Sequence, residues 1–233
     1  LTNIDSGSFI LNEGLINVKE AGLAAFVAPT VVNNGVIKAE LGRVQIGAAS
    51  RATIDLYGDG LMELALDEKR TQLLVNNGLI SADGGTVQIQ AGAARDIVDN
   101  IILNTGVVRA TSISETKSGK IILYAEGANK TESQGGSATI QAGVLDASGY
   151  NSNGKGGSVE VLADAVSLEA KSIIDTSGNA GGGDIKIGGD YLGGGYTPTS
   201  LYTYVDEDAY IFNDAIVKGD GGRTIIWSDD TTD

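Results

Sequence analysis

Asn76-Asn77-Gly78-Leu79-Ile80-Ser81-Ala82, followed two residues later by Gly85-Thr86-Val87-Gln88-Ile89-Gln90-Ala91, is the stretch whose reading decides the fold. The first phrase, Asn-x-Gly-x-(Ile/Val)-x-(Ala/Val), stands also at Asn12–Val18, Asn33–Ala39 and Asn104–Ala110. The second, Gly-x-(Val/Ile)-x-(Ile/Leu/Val)-x-Ala, stands at Gly42–Ala48 and, with variations, at Gly119–Ala125, Gly136–Ala142, Gly157–Ala163, Gly183–Ile187 and Gly222–Trp227. Each phrase is a turn leading into a short segment of alternating side chains, the period of a strand. Such units bury their apolar faces only by stacking on one another. The predicted fold is all-β: a parallel β-helix, a solenoid with short loop excursions, running as a single segment over 1–233.

The phrases recur 21 residues apart from Gly14 to Gly35, and 43 apart from Gly35 to Gly78 and from Gly42 to Gly85. Taken as one and two periods, these intervals predict about eleven coils and a rod of roughly 50 Å at ~4.8 Å per coil. Ile, Val and Leu at alternate positions form the expected core, and the Ala that closes many phrases suits a narrow corner. The units Leu145-Asp146-Ala147-Ser148-Gly149 and Ile174-Asp175-Thr176-Ser177-Gly178 read as strands ending in polar turns, with glycine at positive φ. Pro29 and Pro198 fall where turns are expected.

Three segments break the rhythm. Leu61–Gln72 reads as a strand followed by a charged turn, because Met62, Leu64 and Leu66 alternate with polar or small neighbours. Residues 93–102, with apolar Ala94, Ile97, Val98 and Ile101, form the short helical insertion the pattern predicts. Residues 191–210 make a Tyr-rich loop excursion holding five of the eight tyrosines.

Bulk properties narrow the function. The 233 residues carry a formal charge of −14 with no basic run, so nucleic acid is not an expected partner. No apolar run reaches the ~20 residues that span a bilayer, so membrane insertion is not expected either. With no Cys and no His, thiolate or imidazole metal sites and Ser-His-Asp or Cys-His nucleophiles are excluded. The chain opens on Leu1 and reads as a piece of a longer protein.

The order of phrases resembles the filamentous haemagglutinin-like exoproteins of two-partner secretion, high-molecular-weight adhesins among them. The sharpest likeness is Ile174–Gly178, then Gly181-Gly182-Gly183-Asp184-Ile185-Lys186-Ile187-Gly188-Gly189-Asp190-Tyr191, then Gly219–Gly222 leading to Trp227-Ser228-Asp229-Asp230-Thr231. Ile54–Leu61 is similar to another phrase of that family. The resemblance implies a right-handed β-helix, secreted or held on the outer surface of a Gram-negative bacterium after passage through an outer-membrane pore partner. The family's secretion domain carries Asn-Pro-Asn motifs, whereas Ala28 and Thr197 precede the two prolines here. That difference predicts a segment downstream of the secretion domain.

Candidate chemistry is sparse. Asp55–Gly60 begins like a calcium loop but has Tyr57 at a ligand position and Leu66 where a bidentate Glu belongs. Gly181–Ile185 resembles a calcium nonapeptide once only, so no metal or cofactor is expected, with Asp55, Asp59 and Asp184 the positions that calcium would implicate. Asp206, Glu207, Asp208 and Asp214 could serve as a glycosidase acid pair, though few cations accompany them. Asn129-Lys130-Thr131 is a lone glycosylation sequon. Tyr196, Tyr202 and Tyr204 are the candidate contacts for a host glycan or surface protein, the competing role being to pin their loop on the solenoid. The functional expectation is a non-enzymatic stalk segment of an adhesin. The alternatives are a β-helical polysaccharide lyase or hydrolase, and the shaft of a contact-dependent toxin or cytolysin.

Overall fold

The computed structural model describes residues 8–49, 51–53, 63–65, 73–92, 102–114, 116–126, 137–141, 143–151 and 153–232. Three parallel sheets form the faces of a β-helix. The first holds eight strands: Phe9–Asn12, Thr30–Asn33, Leu73–Asn76, Ile102–Asn104, Ser137–Ile140, Ala165–Leu168, Tyr202–Val205 and Thr231–Thr232. The second holds Leu15–Asn17, Val36–Lys38, Leu79–Ser81, Val107–Arg109, Val144–Asp146, Ile173–Asp175 and Tyr210–Phe212. The third holds Leu23–Ala28, Arg43–Ala48, Thr86–Gly92, Lys120–Glu126, Ser158–Ala163, Asp184–Ile187 and Arg223–Ile226. The chain visits the sheets in that order, so the described residues make seven coils and open an eighth.

Eleven coils were expected; long connections between strands lower the number, and the first of them is the 43-residue interval. Thr30–Asn33 pairs directly with Leu73–Asn76, and Arg43–Ala48 directly with Thr86–Ala91. The 43-residue interval is therefore one coil carrying an insertion, not two coils. The insertion includes the antiparallel pair Arg51–Thr53 and Glu63–Ala65, the latter being the strand foreseen within Leu61–Gln72. The rest of that segment, and all of the predicted helical insertion except Ile102, lie outside the described residues. Ile102 itself is fully buried in a first-sheet strand.

Alternation puts one ladder of large aliphatics inside each of the first two sheets and two inside the third. Val31, Leu74, Ile102 and Val166 line the first, Ile37, Ile80, Val108, Leu145 and Ile174 the second. Val44/Ile46, Val87/Ile89, Ile121/Leu123, Val159/Val161 and Ile185/Ile187 fill the third. Each such side chain contributes ~1.5–3 kcal/mol on burial. Ala39, Ala82, Ala110 and Ala147 stack, fully buried, at the corner after the second sheet. Their amides donate to the following coil, from Ala39 to Ser81 O, Ala82 to Arg109 O, Ala110 to Asp146 O and Ala147 to Asp175 O. The coil-to-coil ladder thus continues around the bend.

The phrase residues explain the other corners. Asn12 Nδ2 donates to Asn33 Oδ1 at 2.7 Å, Asn33 to Asn76 at 2.8 Å and Asn76 to Asn104 at 2.7 Å, a buried amide ladder along the axis. The glycine two residues after Asn33, Asn76 and Asn104 is needed for close approach to the coil beneath. A Cβ on Gly35 would lie 2.2 Å from Gly14 O, and one on Gly78 2.1 Å from Gly35 O. Gly149 and Gly178 are not in the left-handed region either, contrary to expectation. They face one another in a parallel bridge, and a Cβ on Gly149 would lie 2.3 Å from Lys155 O. Positive φ falls instead on the residue before the third-sheet glycine: Ala21 at 59°, Leu41 at 54°, Gly84 at 69°.

The long excursions share one corner. Between a third-sheet strand and the next first-sheet strand the chain inserts 49–72, 93–101, 127–136 and 188–201, whereas Pro29 or Asp164 alone makes that turn in two other coils. The Tyr-rich excursion is accordingly shorter than 191–210, because Tyr202–Val205 and Tyr210–Phe212 are strands of the solenoid.

Candidate functional site

The outer face of the first sheet changes character at its C-terminal end. Tyr202 and Tyr204 stand on one strand, two residues apart, and so project from the same face about 7 Å apart along the chain. Both point outward and are 43% and 41% exposed, while Thr203 between them is buried. Ala165 and Ser167 lie opposite them in register on the neighbouring strand, and Ser137 opposite Ala165 on the strand beyond. Small residues beside two large rings leave an open groove of about 560 Å³, lined also by Val166, Gln141 and Glu169.

Hydrogen bonds fix the groove's walls. Tyr204 Oη donates to Asp206 Oδ2 at 3.0 Å, and Asp208 N donates to Asp206 Oδ1 at 2.9 Å. Ser167 Oγ donates to Glu169 Oε1 at 2.5 Å. Aromatic rings offer a sugar or protein large contact area at low entropic cost, and the carboxylate and amide accept hydroxyl or amide protons. Among the described residues no Lys or Arg lines the groove, and its one charged lining group is the Glu169 carboxylate.

The structure separates the three candidate tyrosines. Tyr196 is fully exposed on the excursion 188–201 and does not line the groove. That excursion is anchored by other residues: Ser200 Oγ and Thr203 Oγ1 donate to Trp227 O at 3.0 and 2.8 Å. Gly188 and Gly189 have φ of 71° and 152°, and a Cβ on either would meet Trp227 within 3 Å. Lys186 pairs with Asp190 at 2.5 Å, and this hydrogen bond, with that from Tyr191 N, holds the Asp190 carboxyl below the usual carboxylate range. The Gly-Gly-Asp-Tyr and Trp phrases that stood out in the sequence thus meet in one anchoring knot. Ser200 and Thr203 gave no signal in the sequence, because only the register brings them to Trp227.

The other candidates are dispersed. Asp206 and Asp208 precede the strand Tyr210–Phe212 and Asp214 follows it, so the strand stands between the carboxylates of the imagined acid pair. Asp184 pairs with Arg223 at 3.2 Å. Asp55, Asp59 and Asn129 lie outside the described residues, and among the described residues no three carboxylates converge on a point. In the turn after the second-sheet strand Leu79–Ser81, burial pushes Asp83 up, but hydrogen bonds from Arg109 and Thr111 outweigh it and hold the carboxyl below its ordinary range. Burial, with the 2.6 Å hydrogen bond to Asp175, pushes the Tyr150 phenol up to about 12.

Comparison with known proteins bears on this architecture. No protein-family model and no curated protein matches the chain. Among solved structures it is similar to the HMW1 secretion domain from Haemophilus influenzae, with a TM-score of 0.72 and 29% identity. The match covers 95% of this chain and 54% of that one, so the chain spans about half the length of its structural neighbour. Among the described residues no helix is long and apolar enough to cross a membrane.

Proposed function

We propose that this chain is a non-enzymatic structural segment of a secreted or cell-surface bacterial adhesin, and that its own recognition surface is the Tyr202/Tyr204 groove. The likeness to a secretion domain over 95% of the chain carries this reading. It supports secretion through an outer-membrane transporter, the partner implied by the resemblance to two-partner exoproteins. The alignment is to a secretion domain and lends no support to a downstream placement. We therefore read the chain as the coil-forming part of such a domain. It holds no Asn-Pro-Asn motif, and no transporter-contacting residue is assigned on it.

For the groove, the Glu169 carboxylate on its lining and the net charge of −14 favour a neutral host glycan over an acidic one. Two rings would cover the apolar faces of the sugar, with Glu169 and Gln141 accepting its hydroxyls. The test is the double substitution Tyr202→Ser, Tyr204→Ser beside Tyr196→Ser, scored for host-cell adhesion and for melting temperature. The double variant should lose adhesion at unchanged melting temperature, and Tyr196→Ser should retain it. Adhesion falling only in step with stability would make the rings structural. Cleavage of a bound glycan would overturn the non-enzymatic assignment.

A further inference from the structure

The two sides of the solenoid are finished differently. On the third sheet Gln45, Gln88, Gln90 and Leu162 occupy outward positions yet are buried, so that face is covered; the pair Arg51–Thr53 and Glu63–Ala65 is part of what packs there. The second sheet's outer face carries a ladder in unbroken register: Leu15, Val36, Leu79, Val107, Val144, Ile173 and Tyr210. Leu15 is 67% and Tyr210 50% exposed, and the five between them are all partly exposed. A contiguous apolar stripe of this length on an outer surface marks an interaction site.

We infer that a second copy of this chain covers the stripe, packed face to face with its solenoid axis antiparallel. The argument is the charge of the ladder beside it. Two residues on along each strand, Lys38 lies in the N-terminal half, Arg109 on the central strand, and Asp146 and Asp175 in the C-terminal half. A two-fold axis along the strand Val107–Arg109 keeps each ladder over itself and reverses coil order. Lys38 then faces Asp175 of the other copy, Val36 faces Ile173, Leu79 faces Val144, and Val107 meets Val107. Arg109, on the axis, is neutralised within its own copy by Asp83 at 2.7 Å. Asp175 is held in place by Tyr150 Oη at 2.6 Å and Ser177 N at 2.8 Å. An isologous contact requires this self-complementarity, and an acidic chain of −14 would otherwise repel its copy. The stripe spans about 29 Å of axis, and with its flanking ladder buries roughly 500 Å² per copy, about 1,000 Å² in all, the size of a weak, reversible contact.

Sedimentation equilibrium on the intact chain should show a dimer. Lys38→Asp and Asp175→Lys should each weaken it about tenfold, and the double swap should restore it, because the exchanged charges meet again across the two-fold. The chain has no cysteine, so Val107→Cys introduces a single thiol on the axis that a short bifunctional thiol reagent, spanning the ~10 Å between packed sheets, should cross-link to its copy. Val36→Cys, two coils from the axis, should not. Unchanged melting temperatures would confirm that these outward substitutions leave the fold intact. A monomeric parent overturns the inference and leaves the stripe to a different protein. A double swap no tighter than the single ones, or Val36→Cys cross-linking as readily as Val107→Cys, overturns the antiparallel arrangement.

Discussion

At the residue scale, stacking and backbone conformation place opposite demands on adjacent positions. Gly85 is needed because a Cβ there would lie 2.0 Å from Gly42 O of the coil beneath. Ala21, one residue before Gly22, sits at φ 59°, where an L residue is strained by ~1–2 kcal/mol. Glycine relieves that strain at an unfolded-state cost of ~0.5–1 kcal/mol. Ala21→Gly should therefore stabilise the chain by up to about 1 kcal/mol, whereas Gly85→Ala should destabilise it by 2 kcal/mol or more, roughly the level of overpacked backbone. Urea unfolding of the two variants checks both signs, and a destabilising Ala21→Gly would contradict the strain account. The glycines were legible as corner residues, but not their reason: positive φ was expected where close approach rules. Likewise Asn33, Asn76 and Asn104 read as turn residues, and their axial amide ladder became visible only once the coils were in register.

At the scale of elements, the strands were the legible part. Val44/Ile46, Val87/Ile89 and Val159/Val161 were expected to point inward as pairs, and all six are fully buried. Ile89 lies between Ile46 and Leu123 in the ladder, so Ile89→Asp would place an unpaired carboxylate where no polar partner stands. It should cost about 3–5 kcal/mol, seen as a lower thermal midpoint. A variant melting within a degree or so of the parent would refute the inward assignment. The insertions were illegible because a 43-residue interval fits two plain coils as well as one coil with an excursion. The same ambiguity lengthened the Tyr-rich loop: tyrosines on the outer face of a strand carry no more local signal than tyrosines in a loop. Tyr202 and Tyr204 were singled out as contacts, but the groove between them and Glu169 rests on pairing between distant residues.

At the scale of the molecule, the account rests on seven stacked coils with their excursions gathered at one corner, one side covered and the other open. Coil number is the claim on which groove, stripe and length all depend. The direct measurement is the distance between spin labels on Leu15→Cys and Tyr210→Cys, outward residues of the first and seventh coils, in a chain that has no other cysteine. Diluting the labelled protein into excess unlabelled chain confines the signal to one copy. Six intervals of ~4.8 Å predict a separation centred near 29 Å, broadened by the label linkers. A distribution centred near 43 Å, the roughly nine 21-residue periods that an eleven-coil rod would place between these residues, would contradict the direct pairing across the 43-residue interval and with it the whole arrangement.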